Sequence, residues 1–144
     1  MDITVRIRLI KGDNVLLILE REGKEIRKAD GTKFIKPGGC GLPGGRKKAD
    51  ELPYEAAVRE LREETGLVAD IEPEPSKIIA SRDGTHEIWL FAAKNPQGDI
   101  YISDPYAVAA KWIDWKLTAY GSVMHQGKEI PIYITHMPLI QFIL

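Results

Sequence analysis

Gly45 to Leu67, GRKKADELPYEAAVRELREETGL, is the stretch that decides how this chain reads. A glycine turn leads into a segment where Tyr54, Ala57, Val58, Leu61 and Thr65 recur at helical spacing, one stripe to face a core. Pro53 suits the first helical position, because its missing N–H would have had no partner there. Gly66 can take the left-handed conformation that closes a helix. The pattern predicts a helix from Pro53 to Gly66. Glu60, Glu63 and Glu64 fall within an arc of about 100° on its other side, at about 3.6 residues per turn. Carboxylates so grouped repel one another unless a cation neutralises them. Hard oxygen ligands select Mg²⁺, or Mn²⁺ as a substitute, and such an ion keeps waters and takes phosphate oxygens. It can also lower the pKa of a bound water and neutralise a leaving phosphate. The alternative is an exposed acidic face with ordinary Arg–Glu pairs, Arg59 standing four residues before Glu63.

With its flanks, the stretch resembles the signature of the Nudix hydrolases: Gly, five residues, Glu, seven residues, then Arg-Glu-apolar-any-Glu-Glu-any-Gly-apolar. Gly45, Glu51, Arg59, Glu60, Leu61, Glu63, Glu64, Gly66 and Leu67 fill its fixed positions without a gap. Cys40-Gly41-Leu42-Pro43-Gly44-Gly45 is similar to the family's lead-in, with Cys40 where Trp is common. Val15 to Leu19 and Lys111-Trp112-Ile113 extend the likeness more weakly over most of the chain.

The resemblance implies an α/β/α sandwich with a mixed central sheet. It also implies a Mg²⁺-dependent pyrophosphohydrolase acting on a nucleoside diphosphate linked to another moiety, such as a (d)NTP or related small nucleotide. The Gly45 carbonyl, Glu60, Glu63 and Glu64 would hold the metal. The same glutamates with Arg59 would form the catalytic set, the general base unassigned among them, while Glu51 and Gly66 serve the motif's structure. A homodimer is compatible with the family. Two other readings stay open: a nucleotide-sensing module without turnover, and an enzyme that trims the 5′ end of RNA. Motifs that mark the ADP-ribose, dinucleoside polyphosphate and coenzyme A branches are absent. Nucleoside triphosphates, nucleotide sugars and 5′-triphosphate RNA ends remain, and DNA is not an expected partner.

The chain departs from the pattern in places. Many members carry a further Glu about six residues before the late Trp; here Tyr106 stands there, with Asp104 and Glu87 as candidates to replace it. Asp50 occupies a position that is often Gly. Leu52 takes the helix N-cap position, usually Ser or Thr, although Glu55 is placed to complete half a capping box.

Charge is unevenly distributed. Residues 21 to 48 hold nine Lys or Arg against three acids, +6, while the remainder holds eleven bases and eighteen acids, −7. A basic arm ahead of an acidic helix suits a polyanion bridged by cations; a solvated loop is the plain alternative. Lys36 and Arg46 in this arm, with Arg6 and Arg8 on the outer face of the first strand, are the candidate substrate-binding cations.

At 144 residues the chain reads as a single domain over 1–144. One cysteine, Cys40, excludes an internal disulfide and suits a reducing compartment, and no apolar run nears the ~20 residues that span a bilayer. A cytoplasmic protein is expected. Strands are predicted at Val5–Leu9, Val15–Leu19, 67–71, 78–81, 87–94, 100–103, 109–114 and the edge segment 130–134. A hairpin or functional loop is expected over 21–43, a turn over 95–99, and a short closing helix from Met137. The aromatics Trp89, Trp112, Trp115, Phe34, Tyr101 and Tyr106 favour core packing over base stacking. His86, His125 and His136 show no zinc spacing, and Cys40 has no evident base beside it.

Overall fold

The computed structural model of the chain describes residues 1–28 and 30–141. Alternation of Val5, Ile7 and Leu9 with Arg6 and Arg8 yields strand β1 (Asp2–Lys11), and a turn at Gly12 returns the chain as antiparallel β2 (Asn14–Glu20). Val15 to Leu19 are all buried, as befits a strand covered on both faces. Next come β3 (Lys24–Arg27) and β4 (Lys33–Lys36), a hairpin within the segment expected to be a loop or hairpin. Two short strands, β5 (Gly39–Gly41) and β6 (Gly44–Arg46), pair with β2 and β1.

The helix α1 spans Pro53–Thr65, followed by β7 (Val68–Ile71), β8 (Lys77–Ala80), β9 (His86–Gln97) and β10 (Ala107–Asp114). The main sheet has the order β10–β2–β1–β9–β7, with β8 also on β9. β1 and β9 run parallel and the other pairs antiparallel, so the central sheet is mixed. The α/β fold with a mixed central sheet expected from the sequence is the one the chain adopts. On one face, Val5, Ile7, Leu9 and Leu16 pack with Ala56, Ala57 and Leu61 of α1 and with Phe91. On the other, Val15, Leu17 and Leu19 pack with Cys40, Leu42, Ile132, Leu139 and Ile140.

That second layer comes from the C-terminal chain. A 3₁₀ turn (Leu117–Tyr120) leads to β11 (Ser122–His125) and β12 (Lys128–Pro131), then a 3₁₀ turn (Ile134–His136) and α2 (Met137–Ile140). Of the edge strand expected over 130–134, Ile132 makes only an isolated bridge to Cys40 and Ile134 opens a 3₁₀ turn; Ile130 and Pro131 alone are strand, closing β12. Its partner β11 was not anticipated, although Gln126 and Gly127, both at positive φ, form the hairpin turn between them. The expected closing helix is α2; residues 142–144 lie outside the described residues.

Three expectations are corrected. The buried stripe of α1 is Ala56, Ala57, Leu61 and Thr65, while Tyr54 and Val58 are 38% and 40% exposed. Adjacent alanines let the helix lie close to the sheet, which turns the stripe toward Ala56. The turn expected at 95–99 is strand up to Gln97, because Asn95 at φ 56 and a register shift between Val68 and Asp70 form a bulge that accommodates Pro96. Residues 100–103 form no strand. They cross the end of α1, where Tyr101 N–H donates to Thr65 O at 2.8 Å and Ser103 Oγ to Glu63 O at 3.4 Å. Carbonyls at a helix C-terminus lack intrahelical donors, and this segment supplies them.

Candidate active site

The carboxylate helix begins and ends as its sequence requires. Leu52 is the N-cap without a side-chain cap bond, and its N–H donates to Glu55 Oε1 at 2.8 Å, one half of a capping box. Gly66 closes the helix at φ 77, its N–H donating to Arg62 O. Between these ends, Arg59 gathers the acids. Its Nη2 donates to Glu51 Oε1 at 2.6 Å, and its Nη1 to Glu60 Oε1 at 3.0 Å and Glu63 Oε2 at 3.1 Å. Bonds from Arg59 first, then the Lys48 N–H, hold the Glu51 carboxyl down to about 2. Glu51 first, and then Glu60, raise the Arg59 guanidinium above its ordinary range. Glu51 is thus the anchor of Arg59.

Gly44 and Gly45 lie against β1, paired with Arg6 and Val5. Gly44 N–H donates to Glu64 Oε1 at 3.3 Å. A Cβ on Gly45 would stand 2.5 Å from Glu60 Oε1, so the turn and the helix meet at the glutamates. Glu60 and Glu64, one turn apart, lie within hydrogen-bonding reach of each other. Burial, and then the neighbouring Glu60, raise the Glu64 carboxyl well above the ordinary carboxylate range against the pull of Arg6. Glu63 does not join this pair: its side chain is 56% exposed and is held by Arg59.

Among the described residues, no three His, Cys, Asp or Glu side chains form a ready metal cluster. The donor set nevertheless fits Mg²⁺, which binds through one or two carboxylates and completes its shell with water and substrate phosphate. Two paired carboxyls need a proton or a cation between them, and the missing Cβ at Gly45 leaves the backbone room to approach.

The helix borders a cleft of about 600 Å³. Arg6, Glu64, Gly44 and Gly45 form one end of it, the hairpin residues Lys24, Ile26, Arg27, Phe34 and Lys36 one side, and Tyr133, Thr135 and His136 another. Of the four expected substrate-binding cations, Arg6, Lys36 and Arg46 line it and Arg8 does not. Arg6 and Arg8 share a face that is covered rather than outward. Arg6 Nη1 donates to Leu42 O at 3.3 Å, and Arg8 Nε to Ile140 O at 2.7 Å, which ties α2 to β1. Lys36 pairs with Glu20 at 2.9 Å and sits 4.5 Å from the Tyr133 ring centroid. Arg46 Nη2 donates to Arg27 O at 2.8 Å and so holds the hairpin to the site.

Of the candidates for the missing downstream acid, Asp104 lines the cleft near Lys24, at 3.8 Å, whereas Glu87 is absent from the lining and accepts from Trp89 Nε1. Phe34 is the one aromatic of the six considered that lines the cleft. Cys40 is buried, and burial pushes its thiol up to about 12, a packing role.

Glu20, Tyr133, Thr135 and His136 were missed in the sequence. Their only trace was Gly39 and Gly41 around Cys40: a Cβ on Gly39 would lie 2.7 Å from the Tyr133 ring, and one on Gly41 would overlap His136 Nδ1. Glycine there signals a close approach without saying what approaches.

A mixed sheet bearing an acidic helix docked on a diglycine turn, at the end of a cationic cleft, defines a hydrolase of the Nudix class. The chain belongs to the NUDIX domain family, matching it over residues 2–128, and is a Nudix pyrophosphohydrolase. Enzymes of this family typically use a divalent metal. No curated protein sequence matches the chain. Among solved structures it is similar to the E. coli ORF135 protein, at 21% identity over 98% of this chain and 86% of that one, TM-score 0.66. A MutT NUDIX hydrolase from Burkholderia pseudomallei matches at 18% identity over 96% and 95%, TM-score 0.64. An ADP-ribose pyrophosphatase from Streptococcus suis matches at 19% over 96% and 88%, TM-score 0.56. At such identities the likeness is one of fold.

Proposed function

We propose that the chain, acting as one domain, hydrolyses a phosphoanhydride bond of a (d)NTP or related small nucleotide in this cleft. The observation that carries the reading is the Glu60–Glu64 pair beside Gly45, of which Glu64 lines a cleft that Arg6, Lys24, Arg27, Lys36 and Arg46 also line. Glu60, Glu64 and the Gly45 carbonyl would hold Mg²⁺, and Glu63 would join them on release from Arg59. When bound, the ion supplies charge neutralisation on the phosphates and a water of lowered pKa. Arg59 orients Glu60 and Glu63 by donating to both from one nitrogen. The proton lost by the attacking water passes to a carboxylate of the helix. Arg6 offers its remaining N–H groups to phosphate oxygens, and Ile26 and Phe34 give a base an apolar wall.

A screen of nucleotides with Mg²⁺ and Mn²⁺, reading phosphate, pyrophosphate and the nucleoside product, tests catalysis and the bond cut together. Glu63→Gln and Glu64→Gln should each lower kcat by about 10²-fold or more while the protein stays folded. Full activity in both would remove the mechanism. The basic hairpin on the cleft favours one second reading, action on the 5′ end of RNA. It requires a steep loss of activity with salt on RNA and little on a free nucleotide.

A further inference from the structure

We infer that His136 and Arg6 together form a subsite for a substrate phosphate, on a wall supplied by chain beyond the NUDIX match. This deepens the reading above and rests on it for the identity of the anion. The match ends at residue 128, and Tyr133, Thr135 and His136, which line the cleft, all come after it.

The wall is built into the fold. Tyr133 N–H donates to Cys40 O at 2.9 Å, Ile132 N–H to Gly121 O at 2.8 Å, and Leu139 and Ile140 are fully buried. Tyr133 OH reaches Glu20 Oε1 at 3.2 Å, and its ring meets the His136 ring edge-on at 5.4 Å. His136 and Arg6 then grip the same residue from two sides. Leu42 N–H donates to His136 Nδ1 at 3.0 Å, while Arg6 Nη1 donates to Leu42 O at 3.3 Å.

This grip fixes what each side chain has left to offer. With Nδ1 accepting, a neutral His136 carries its proton on Nε2, which is therefore a donor. Neither Nε2 nor the other Arg6 nitrogens have hydrogen-bond partners among the described residues. Yet no buried side-chain nitrogen or oxygen among those residues lacks a partner. These N–H groups are consequently open to the cleft that both residues line. Two adjacent donor groups with no acceptor, one cationic, are the complement of a phosphate oxygen. Arg6 is close enough to pull on Glu64, so a phosphate held here would neighbour the one held at the carboxylate pair.

The test uses the intact protein with ¹⁵N-labelled histidine, titrated with magnesium pyrophosphate. The His136 ring should show the Nε2–H tautomer and its Nε2 resonance should move to saturation with the pyrophosphate. A His136 ring that does not respond at saturation overturns the subsite. In kinetics, His136→Phe should raise KM about tenfold or more while kcat changes less than about threefold. His136→Gln, which can both accept from Leu42 N–H and donate into the cleft, should stay within about threefold of wild type on both constants. Equal KM values for His136→Phe and wild type also overturn the inference. Because phenylalanine leaves Leu42 N–H unpaired, that variant is compared only if its melting curve shows a folded protein; otherwise the ring titration decides. Absence of nucleotide turnover by the wild type would remove the hydrolase reading, and the pyrophosphate titration would still decide the subsite.

Discussion

Gly44 and Gly45 are neighbours of identical chemistry, yet a methyl group would harm each in a different way. At Gly44, φ is +154° and an added Cβ would overlap the Val5 carbonyl, which belongs to the central strand and cannot move aside. At Gly45 the obstacle is the end of the Glu60 side chain, which can swing away. Gly44→Ala should therefore lower the melting temperature severely, because backbone must shift. Gly45→Ala should leave the melting temperature within a few degrees while kcat falls by about 10²-fold, the cost of displacing one carboxylate by about 1 Å. Equal losses of stability in both variants would refute this division. Leu52 is a separate case of a residue that its position does not favour. It is 66% exposed and its side chain makes no cap bond. Leu52→Thr adds an acceptor for the N–H of Glu55 and should stabilise the protein by about 0.5–2 kcal/mol in denaturant unfolding. A lower unfolding midpoint would count against the cap.

Among the elements, the C-terminal segment owes its position to Arg8. That guanidinium binds Ile140 O across a separation of 132 residues, so it clasps α2 to β1. Arg8→Ala should cost about 1.5–3 kcal/mol of stability, the range for a hydrogen bond from a charged group, and should raise KM by loosening the wall that α2 supports. A variant with wild-type stability and KM would show that the clasp does nothing. Arg8 also marks where sequence reading stops. Helix α1 could be read because Pro53, Gly66 and the placement of the glutamates are local signals, each fixed within a few residues. β1 and β2 could be read for the same reason, from alternation and from the unbroken run Val15–Leu19. Nothing local distinguishes Arg6 from Arg8, since both alternate with the same apolar residues. What separates them is the partner that covers each, Leu42 in one case and Ile140 in the other. His136 was illegible for the same reason: its spacing to other histidines carries no signal, and its partner is Leu42, 94 residues away.

Taken as a whole, the molecule should answer to pH through two groups of the cleft, His136 and Glu64, that act in opposite senses. Burial first, then Arg6 and Lys36, lower the His136 imidazole to about 2 from an ordinary 6.5. The folded state therefore keeps the ring neutral while the unfolded chain takes up a proton below pH 6.5. The stability this group contributes is fully present above that pH and is lost as pH falls from 6.5 toward 2. The loss runs at about 1.4 kcal/mol per pH unit, or about 2 kcal/mol by pH 5. Glu51, held at about 2 against an ordinary 4.5, adds to this only below pH 4.5, where the unfolded chain begins to protonate it and the Arg59 bonds are lost later. Glu64 acts in the opposite sense: its carboxyl is raised to about 8 in the folded protein, which therefore holds a proton that the unfolded chain has lost, so falling pH adds stability between about 8 and 4.5 and offsets the His136 loss there. Urea unfolding of the wild type and of His136→Gln across pH 5–8 separates the two. From pH 6.5 to 5 the Gln variant, which keeps Glu64 but has no ionisable group at 136, should gain about 2 kcal/mol of stability relative to the wild type. Parallel curves for the two proteins would mean that the ring is protonated in the folded state, which the bond from Leu42 N–H to Nδ1 does not permit.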